Sequence, residues 1–287
     1  MTERYLLYID ILGFEDLVRN EPARVEDLYE IIASLNVHRH WGFAIVGFSD
    51  TILIHNTFPP DTQDWRHYTV MYSCEFAQDL FHRLAARKLF FRAVLTYGSF
   101  EHYQLNHQHY YYGPALIDCY KAEKAFPITG LLIDDKCLED NRIFSHRPFL
   151  GWHYLFFTQG LDYYEDVWQG LVPLPLDEIE QAGWTGALVP ELETLHTSLL
   201  LSRDHPDEEV RLKHKNTIDL YRLRYPKVFA ALEPRDLKIE YVNQDFDWSV
   251  ARESLNESFA FGSERTEPEP GTTGRPYKDR SDEESES

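Results

Sequence analysis

The sequence predicts an α+β fold in which helices cover one face of an antiparallel sheet. Strand-like and helix-like segments alternate along the first half in the order β-α-β-β-α-β-β-α-β. Apolar arms joined by short polar turns occur twice, which is typical of antiparallel hairpins. With 287 residues, 43% of them hydrophobic, the chain is long enough to bury a sizeable core. These observations favour a sheet-and-helix sandwich.

The first strands can be assigned from their hydrophobic pattern. YLLYI (5–9) is a continuous apolar run, as expected for a strand covered on both faces. Asp10 follows it directly, and an ILGF turn leads into a helical pattern. FAIVGFSDTILI (43–54) has two apolar arms around Ser49 and Asp50. This pattern predicts a hairpin with a carboxylate at its tip.

The next segments continue the alternation. Apolar residues at spacings of three and four predict a helix from about 65 to 88. FFRAVLTYG (90–98) reads as a strand, followed by a His- and Tyr-rich hairpin that Gly113-Pro114 ends. ALIDCYKAEKA then predicts a helix, and GLLID (130–134) a further strand. This order of strands and helices is compatible with a domain built from ferredoxin-like halves.

The chain divides into three parts by composition. We expect one domain over 1–137, a C-terminal α/β extension over 138–261, and a disordered acidic tail over 262–287. In the extension, WHYLFF and DYYEDVW are predicted as strands, followed by helices near 187–201 and 206–232.

Charge and composition narrow the function classes. The formal net charge of -20 repels a nucleic acid. A small phosphate ligand can still bind, because chelated metal cations neutralise its charge. No apolar run approaches the length of a membrane span, and the N-terminus lacks a signal-peptide pattern. Three widely spaced cysteines suggest neither a disulfide framework nor a zinc site. We therefore expect a cytoplasmic protein.

Two aspartates are the candidate ligands for divalent metal ions. Asp10 ends one strand, and Asp50 lies at the tip of a hairpin expected to flank that strand. Neighbouring carboxylates repel or take up protons unless cations pair with them, and a pair of divalent ions serves phosphoryl transfer. A simple helix cap for Asp10 and a turn role for Asp50 remain the alternative. Gly13 allows a tight bend that exposes the amides of Leu12, Gly13 and Phe14 to a phosphate.

Four segments in order resemble the class III nucleotidyl cyclases. YIDILGF resembles the first metal-binding strand of that family, and VGFSDTILI its hairpin with the second metal aspartate. FRAVLTYGSF and YYGPALIDCYKAEKA are similar to the two following motifs. The resemblance spans about 4–135 and implies the class III cyclase homology domain.

The resemblance also implies an activity and its cofactors. Two Mg²⁺ or Mn²⁺ ions, held by Asp10, Asp50 and the Ile11 carbonyl, would serve cyclisation of a nucleoside triphosphate. Active sites between two head-to-tail subunits would make the protein a homodimer.

The chain departs from the family at four positions. Val46 stands where the family has its adenine-reading lysine, and Tyr110 replaces the partner acid. Ile117 occupies the position of the transition-state asparagine, and Lys121 that of the arginine. Lysine keeps the charge but lacks the forked donors, so Lys121 is the replacement candidate.

These departures most resemble the pyrimidine cyclases of bacterial antiphage Pycsar systems. That group implies UTP, less often CTP, as substrate and a cyclic product that acts on a separate effector protein. Arg92 would read a pyrimidine carbonyl or hold a phosphate, or would simply pair with an acid. A catalytically silent cyclase-like module and an adenylate cyclase with an altered base pocket are the alternatives.

Overall fold

The computed structural model describes residues 1–106, 108–181 and 185–256, which contain eight strands and eleven α-helices. The strands are β1 (Thr2–Leu12), β2 (Phe43–Phe48), β3 (Thr51–Asn56), β4 (Phe90–Leu105), β5 (Gln108–Tyr112), β6 (Gly130–Ile133), β7 (His146–Phe149) and β8 (Trp152–Leu155). The helices are α1 (Phe14–Asn20), α2 (Pro22–Ala33), α3 (Gln63–Ala85), α4 (Pro114–Ala125), α5 (Asp135–Leu138), α6 (Gln159–Asp166), α7 (Leu176–Gln181), α8 (Thr185–Asp204), α9 (Glu208–Arg224), α10 (Pro226–Leu232) and α11 (Trp248–Asn256).

All eight strands belong to one sheet with β1 near its centre. The order is β2-β3-β1-β4-β6-β8-β7, and β5 extends β4 as a hairpin arm. All described pairings are antiparallel except β4–β6, which is parallel and connected through α4. The α+β class and the element order predicted for the first half are confirmed. The predicted tail 262–287 lies outside the described residues.

Helices cover both faces of the sheet, so the expectation of a single covered face is wrong. Side chains of β1 alternate between two cores. Leu6 and Tyr8 pack with α4 and the C-terminal helices, whereas Leu7 and Ile9 pack with α2 and α3. The C-terminal helices bury the face that the sequence left open. YLLYI is buried along its whole length for this reason.

The C-terminal extension adds to this architecture. β7 and β8 continue the sheet beyond β6, and α8 to α11 share one core with β1, β4 and α4. The boundary expected at 137/138 stays a prediction. The described residues contain no helix long and apolar enough to cross a bilayer.

One predicted strand of the extension is a helix. DYYEDVW, expected as a strand, lies mostly in α6, because Leu161 and Tyr164 bury one side at helical spacing. The Glu191 carboxylate accepts the N–H groups of Gly160 and Leu161, which caps the helix start.

The last predicted helix, 206–232, is broken into α9 and α10. Pro226 follows the break, and the preceding Tyr225 is non-helical, with φ of -120° and ψ of 58°. A residue before proline avoids the helical region, which accounts for the break.

Candidate active site

Asp10 and Asp50 lie at the same corner of the sheet. Asp10 pairs with Thr51, the first residue of β3. The next residue, Ile11, donates its backbone N–H to the carbonyl oxygen of Asp50 at 2.9 Å. Ser49 has a φ of 56°, the left-handed conformation that tight hairpin turns use. The hairpin tip is thus fixed against the end of β1.

The Asp10 side chain lies on the face of the sheet that α4 covers. Tyr8, two residues earlier on the same strand, packs in that core. Arg92 on β4 is directly opposite Asp10 on one side, and Thr51 on the other. The Tyr8 hydroxyl lies 3.4 Å from the Thr51 hydroxyl. Asp10 is therefore partly covered and flanked by one cationic strand neighbour.

Burial and neighbouring acids raise the pKa of Asp10 from 3.8 to about 7. Burial is the largest cause, followed by the negative charges of Glu123 and Asp50, while Arg92 acts in the opposite direction. The contribution of Asp50 is the repulsion expected of two carboxylates whose backbones meet at one corner of the sheet. A divalent cation would remove this repulsion, which is what the sequence hypothesis requires.

Glu123 is a site residue that sequence reasoning missed. It lies on α4, is only 3% exposed, and its carboxylate pairs with the Arg92 guanidinium. The sequence does carry an indication of it. Ala115, Cys119 and Ala122 form the apolar stripe of α4, and Glu123 follows on the same buried side. An acid on a buried stripe indicates a paired or functional group.

Arg92 pairs with an acidic side chain, which is one of the alternatives that the sequence left open. Besides pairing with Glu123, it donates to the carbonyl oxygen of Phe126 at 2.8 Å. Its Nε has no hydrogen-bond partner among the described residues. With two partners already engaged and the residue 7% exposed, the guanidinium is held inside the fold. We therefore assign it no contact with the base of a substrate.

Gly13 and Phe14 form the turn that follows β1. Gly13 has a φ of 77°, in the left-handed region that glycine tolerates best, and α1 begins at the next residue. The Phe14 ring is buried in the core and touches Tyr29. Only the backbone of Phe14, and not its side chain, can meet a substrate.

Val46 and Tyr110 lie in different parts of the chain. Val46 pairs with Leu53, which pairs with Tyr8, so Val46 belongs to the same sheet face as Asp10. Tyr110 lies on the β5 arm opposite Tyr103. Tyr103 is eleven residues beyond Arg92 along β4, roughly 35 Å at the usual rise of a strand. Within one chain, Tyr110 does not reach the Asp10 corner.

The cationic candidate on α4 also lies apart from the corner. Lys121 is exposed and two residues before Glu123, so the two side chains leave the helix on nearly opposite sides. Ile117 is also exposed. Lys124 lies on the same helix. A hydrogen bond from its ammonium to Tyr120 raises its pKa, and the charges of Glu123 and Tyr8 add to the effect. The role of Lys121 stays a prediction.

The oxygen-rich corner suits a hard divalent cation bound together with a phosphate ligand. Among the described residues, no three His, Cys, Asp or Glu side chains form a ready-made metal site. Mg²⁺ commonly uses one or two carboxylates and completes its coordination with water and substrate phosphates. Asp10 and Asp50 are the carboxylates available at this corner, and Arg92 offsets their charge only in part because it also pairs with Glu123.

Comparison with known proteins gives structural similarity only. No protein-family model and no curated relative matches the chain. Among solved structures, the adenylyl cyclase CyaB from P. aeruginosa is 12% identical with a TM-score of 0.40, covering 54% of this chain and 93% of that one. A bacterial light-regulated adenylyl cyclase is 17% identical with a TM-score of 0.40, covering 57% and 94%.

A third solved structure is the catalytic core of a rhodopsin-guanylyl cyclase with converted specificity, in complex with ATPαS. It is 15% identical with a TM-score of 0.43, covering 54% of this chain and 94% of that one. Similarity of this extent assigns no activity, because function depends on the site and not on the fold.

Proposed function

We propose that this protein is a dimeric, Mg²⁺- or Mn²⁺-dependent nucleotidyl cyclase. The observation that carries the proposal is the convergence of Asp10 and Asp50 at one corner, where their carboxyl groups repel and the hairpin tip is bonded to Ile11. Two acids kept together in this way either take up a proton, as the raised pKa of Asp10 indicates, or bind a cation, and the proposal takes the second course for the protein with its substrate bound. The four-segment cyclase resemblance supports the same reading.

The reaction is attack of the ribose 3′-hydroxyl on the α-phosphorus of a nucleoside triphosphate. The new bond is 3′-O to phosphorus, the broken bond is phosphorus to the bridging oxygen, and pyrophosphate leaves while the hydroxyl proton goes to solvent. Two ions, when bound, would acidify that hydroxyl and neutralise the departing pyrophosphate. Asp10, Asp50 and the Ile11 carbonyl would hold them.

The remaining residues bind and orient the substrate. Backbone amides of Gly13 and Phe14 would contact the phosphates at the turn after β1. Val46 faces the same side of the sheet as Asp10 and would line the base pocket. Within one chain Tyr110 is too far from this corner, and Lys121 leaves α4 on the side away from Glu123. Both would therefore serve the partner subunit's site in a head-to-tail homodimer.

The proposed substrate is a pyrimidine nucleotide, UTP before CTP. Val46 and Tyr110 replace the lysine and the acid that read adenine in the class III cyclases that the chain resembles. Neither side chain offers the charged donor or acceptor of that lysine and acid. We further propose that the product, a cyclic pyrimidine monophosphate, acts on a separate effector protein in antiphage defence.

The test is incubation of the purified protein with UTP, CTP, ATP or GTP and Mn²⁺, with products identified by mass spectrometry. We expect cyclic UMP in excess over cyclic CMP, no product with a chelator, and loss of at least about a thousandfold in Asp50→Ala. Asp61→Asn, which changes an exposed acid in the loop between β3 and α3, serves as the control. Product from ATP or GTP alone contradicts the pyrimidine assignment, and no product from any nucleotide contradicts catalysis.

A second candidate is a catalytically silent cyclase-like module that binds nucleotide. The exposed, uncharged Ile117 at the asparagine position favours it, because no amide stands there to stabilise a transition state. Nucleotide binding by calorimetry without any product, unchanged in Lys121→Ala, would establish this alternative.

A further inference from the structure

Helix α9 of the C-terminal extension is hydrogen-bonded to the loop between α4 and β6. Asn216 donates its side-chain N–H to the carbonyl oxygen of Pro127 at 2.8 Å. The Thr217 hydroxyl accepts the backbone N–H of Thr129 at 2.9 Å and donates to the Lys213 carbonyl at 3.0 Å. Thr129 and Thr217 are both buried. Two side chains of α9 therefore fix the backbone of this loop.

The same loop holds Arg92 at its other end. The Phe126 carbonyl, one residue before Pro127, accepts the Arg92 guanidinium at 2.8 Å. That guanidinium also pairs with Glu123, and Arg92 lies directly opposite Asp10 in the sheet. A continuous series of contacts thus runs from α9 to the Asp10 corner.

We propose that Asn216 and Thr217 are positioning residues that keep the Arg92 guanidinium from pairing with Asp10. This inference rests on the cyclase function proposed above. While α9 holds the loop, Arg92 is engaged by Phe126 and Glu123 and, among the described contacts, makes no hydrogen bond to Asp10. When the loop moves by about 1 Å, the bond to Phe126 is lost. A buried guanidinium needs a new acceptor, and Asp10 is the carboxylate opposite it.

The joint between α9 and the sheet has room for such a movement. A cavity of about 20 Å³ lies there, lined by residues that include Thr129, Thr194, Thr217 and Tyr221. This is space for about one water molecule. The hydroxyls of Thr194 and Tyr221 are buried and have no partner among the described residues. The joint is therefore less completely packed and bonded than the core around it.

The experiment compares two matched substitutions in the full-length protein. Thr217→Val keeps the shape but removes the hydroxyl, whereas Thr217→Ser keeps the hydroxyl. Mn²⁺ binding is measured by electron paramagnetic resonance without nucleotide and with a non-cyclising triphosphate analogue. We expect Thr217→Val to weaken Mn²⁺ binding on the order of tenfold, as loss of supporting contacts around metal ligands does, and Thr217→Ser to restore it.

A control separates positioning from general destabilisation. Ser198→Ala removes a buried bond of 2.9 Å to His214 between α8 and α9; Ser198 lines the same cavity but makes no hydrogen bond to the loop among the described contacts. Thermal unfolding is recorded for all variants. If Ser198→Ala weakens Mn²⁺ binding as much as Thr217→Val, or if Thr217→Val binds as the wild type does, the inference is overturned.

A second measurement tests the link in the metal-free protein. The Nε–H signal of Arg92 in a proton–nitrogen NMR spectrum is assigned by its absence in Arg92→Lys. We expect this signal to shift in Thr217→Val and to stay in place in Ser198→Ala and Thr217→Ser. Wild-type protein that binds no Mn²⁺ would defeat the proposed function, whereas an unmoved Arg92 signal in Thr217→Val would defeat the positioning role alone.

Discussion

Asp10→Asn should make the metal-free protein more stable at high pH. The pKa of Asp10 is raised from 3.8 to about 7, so ionisation of this carboxyl opposes folding. Below pH 3.8 the Asp10 carboxyl is protonated, and the free energy of unfolding is not lowered by its ionisation. This part of the free energy of unfolding is lost as the pH rises through about 7. Asparagine keeps the size of the side chain and never ionises.

The size of the effect follows from the shift. About three pH units correspond to about 4 kcal/mol at about 1.4 kcal/mol per unit. Asp10 is partly exposed, and screening by solvent reduces this to ~2 kcal/mol. We therefore expect Asp10→Asn to match the wild type near pH 4 and to exceed its free energy of unfolding by ~2 kcal/mol at pH 8.

Urea unfolding with a chelator at several pH values between 4 and 8 measures this difference. Other titrating groups, including the buried Glu191 whose pKa is raised to about 8, are common to both proteins and cancel. Added Mn²⁺ should narrow the gap because only the wild type has both carboxylates. A gap that does not change with pH would refute the electrostatic reasoning about this corner.

Three further predictions concern the partner of Arg92, the start of α4 and the proposed base pocket. Glu123→Ala leaves a guanidinium buried without its anion and should lower the free energy of unfolding by about 3 kcal/mol, measured with urea. Gly113→Ala should unfold at a markedly lower temperature in a thermal melt, because at φ 147° its Cβ would lie 2.3 Å from the Ser99 carbonyl oxygen. Val46→Lys combined with Tyr110→Asp should raise the ratio of ATP to UTP cyclisation on the order of tenfold in a competition assay, and an unchanged ratio would remove these positions from the base pocket.

The first half of the fold was predictable because its signals are local. YLLYI, the hairpin around Ser49 and Asp50, and the helical spacing in α3 each follow from residue order within a short window. The apolar run YLLYI indicated a strand covered on both faces, but the helices that cover the second face could not be identified, because a single sequence does not show which face a distant helix covers. DYYEDVW was misread for a similar reason: its aromatic content suggested a strand, while the cap from Glu191 makes it a helix.

The candidate site was predictable only in part. Asp10 and Asp50 could be placed together because the hairpin tip that carries Asp50 leads into β3, which is the neighbour of β1 in the sheet, although β1 continues two residues past Asp10 to Leu12. Arg92 could not be assigned, since its partner Glu123 comes from α4 and its second partner is a backbone carbonyl. Contacts between elements far apart in sequence leave no periodic pattern.

The central position of β1 affects how the chain is made. One edge of this apolar strand pairs with β3, but the partner of its other edge, β4, spans Phe90–Leu105 and leaves the ribosome much later. At about 5 to 20 residues per second, the wait is roughly 5 to 20 s. Throughout synthesis of the intervening helices, YLLYI stays open to chaperones or to other nascent chains. Fragments that stop before β4 should therefore precipitate.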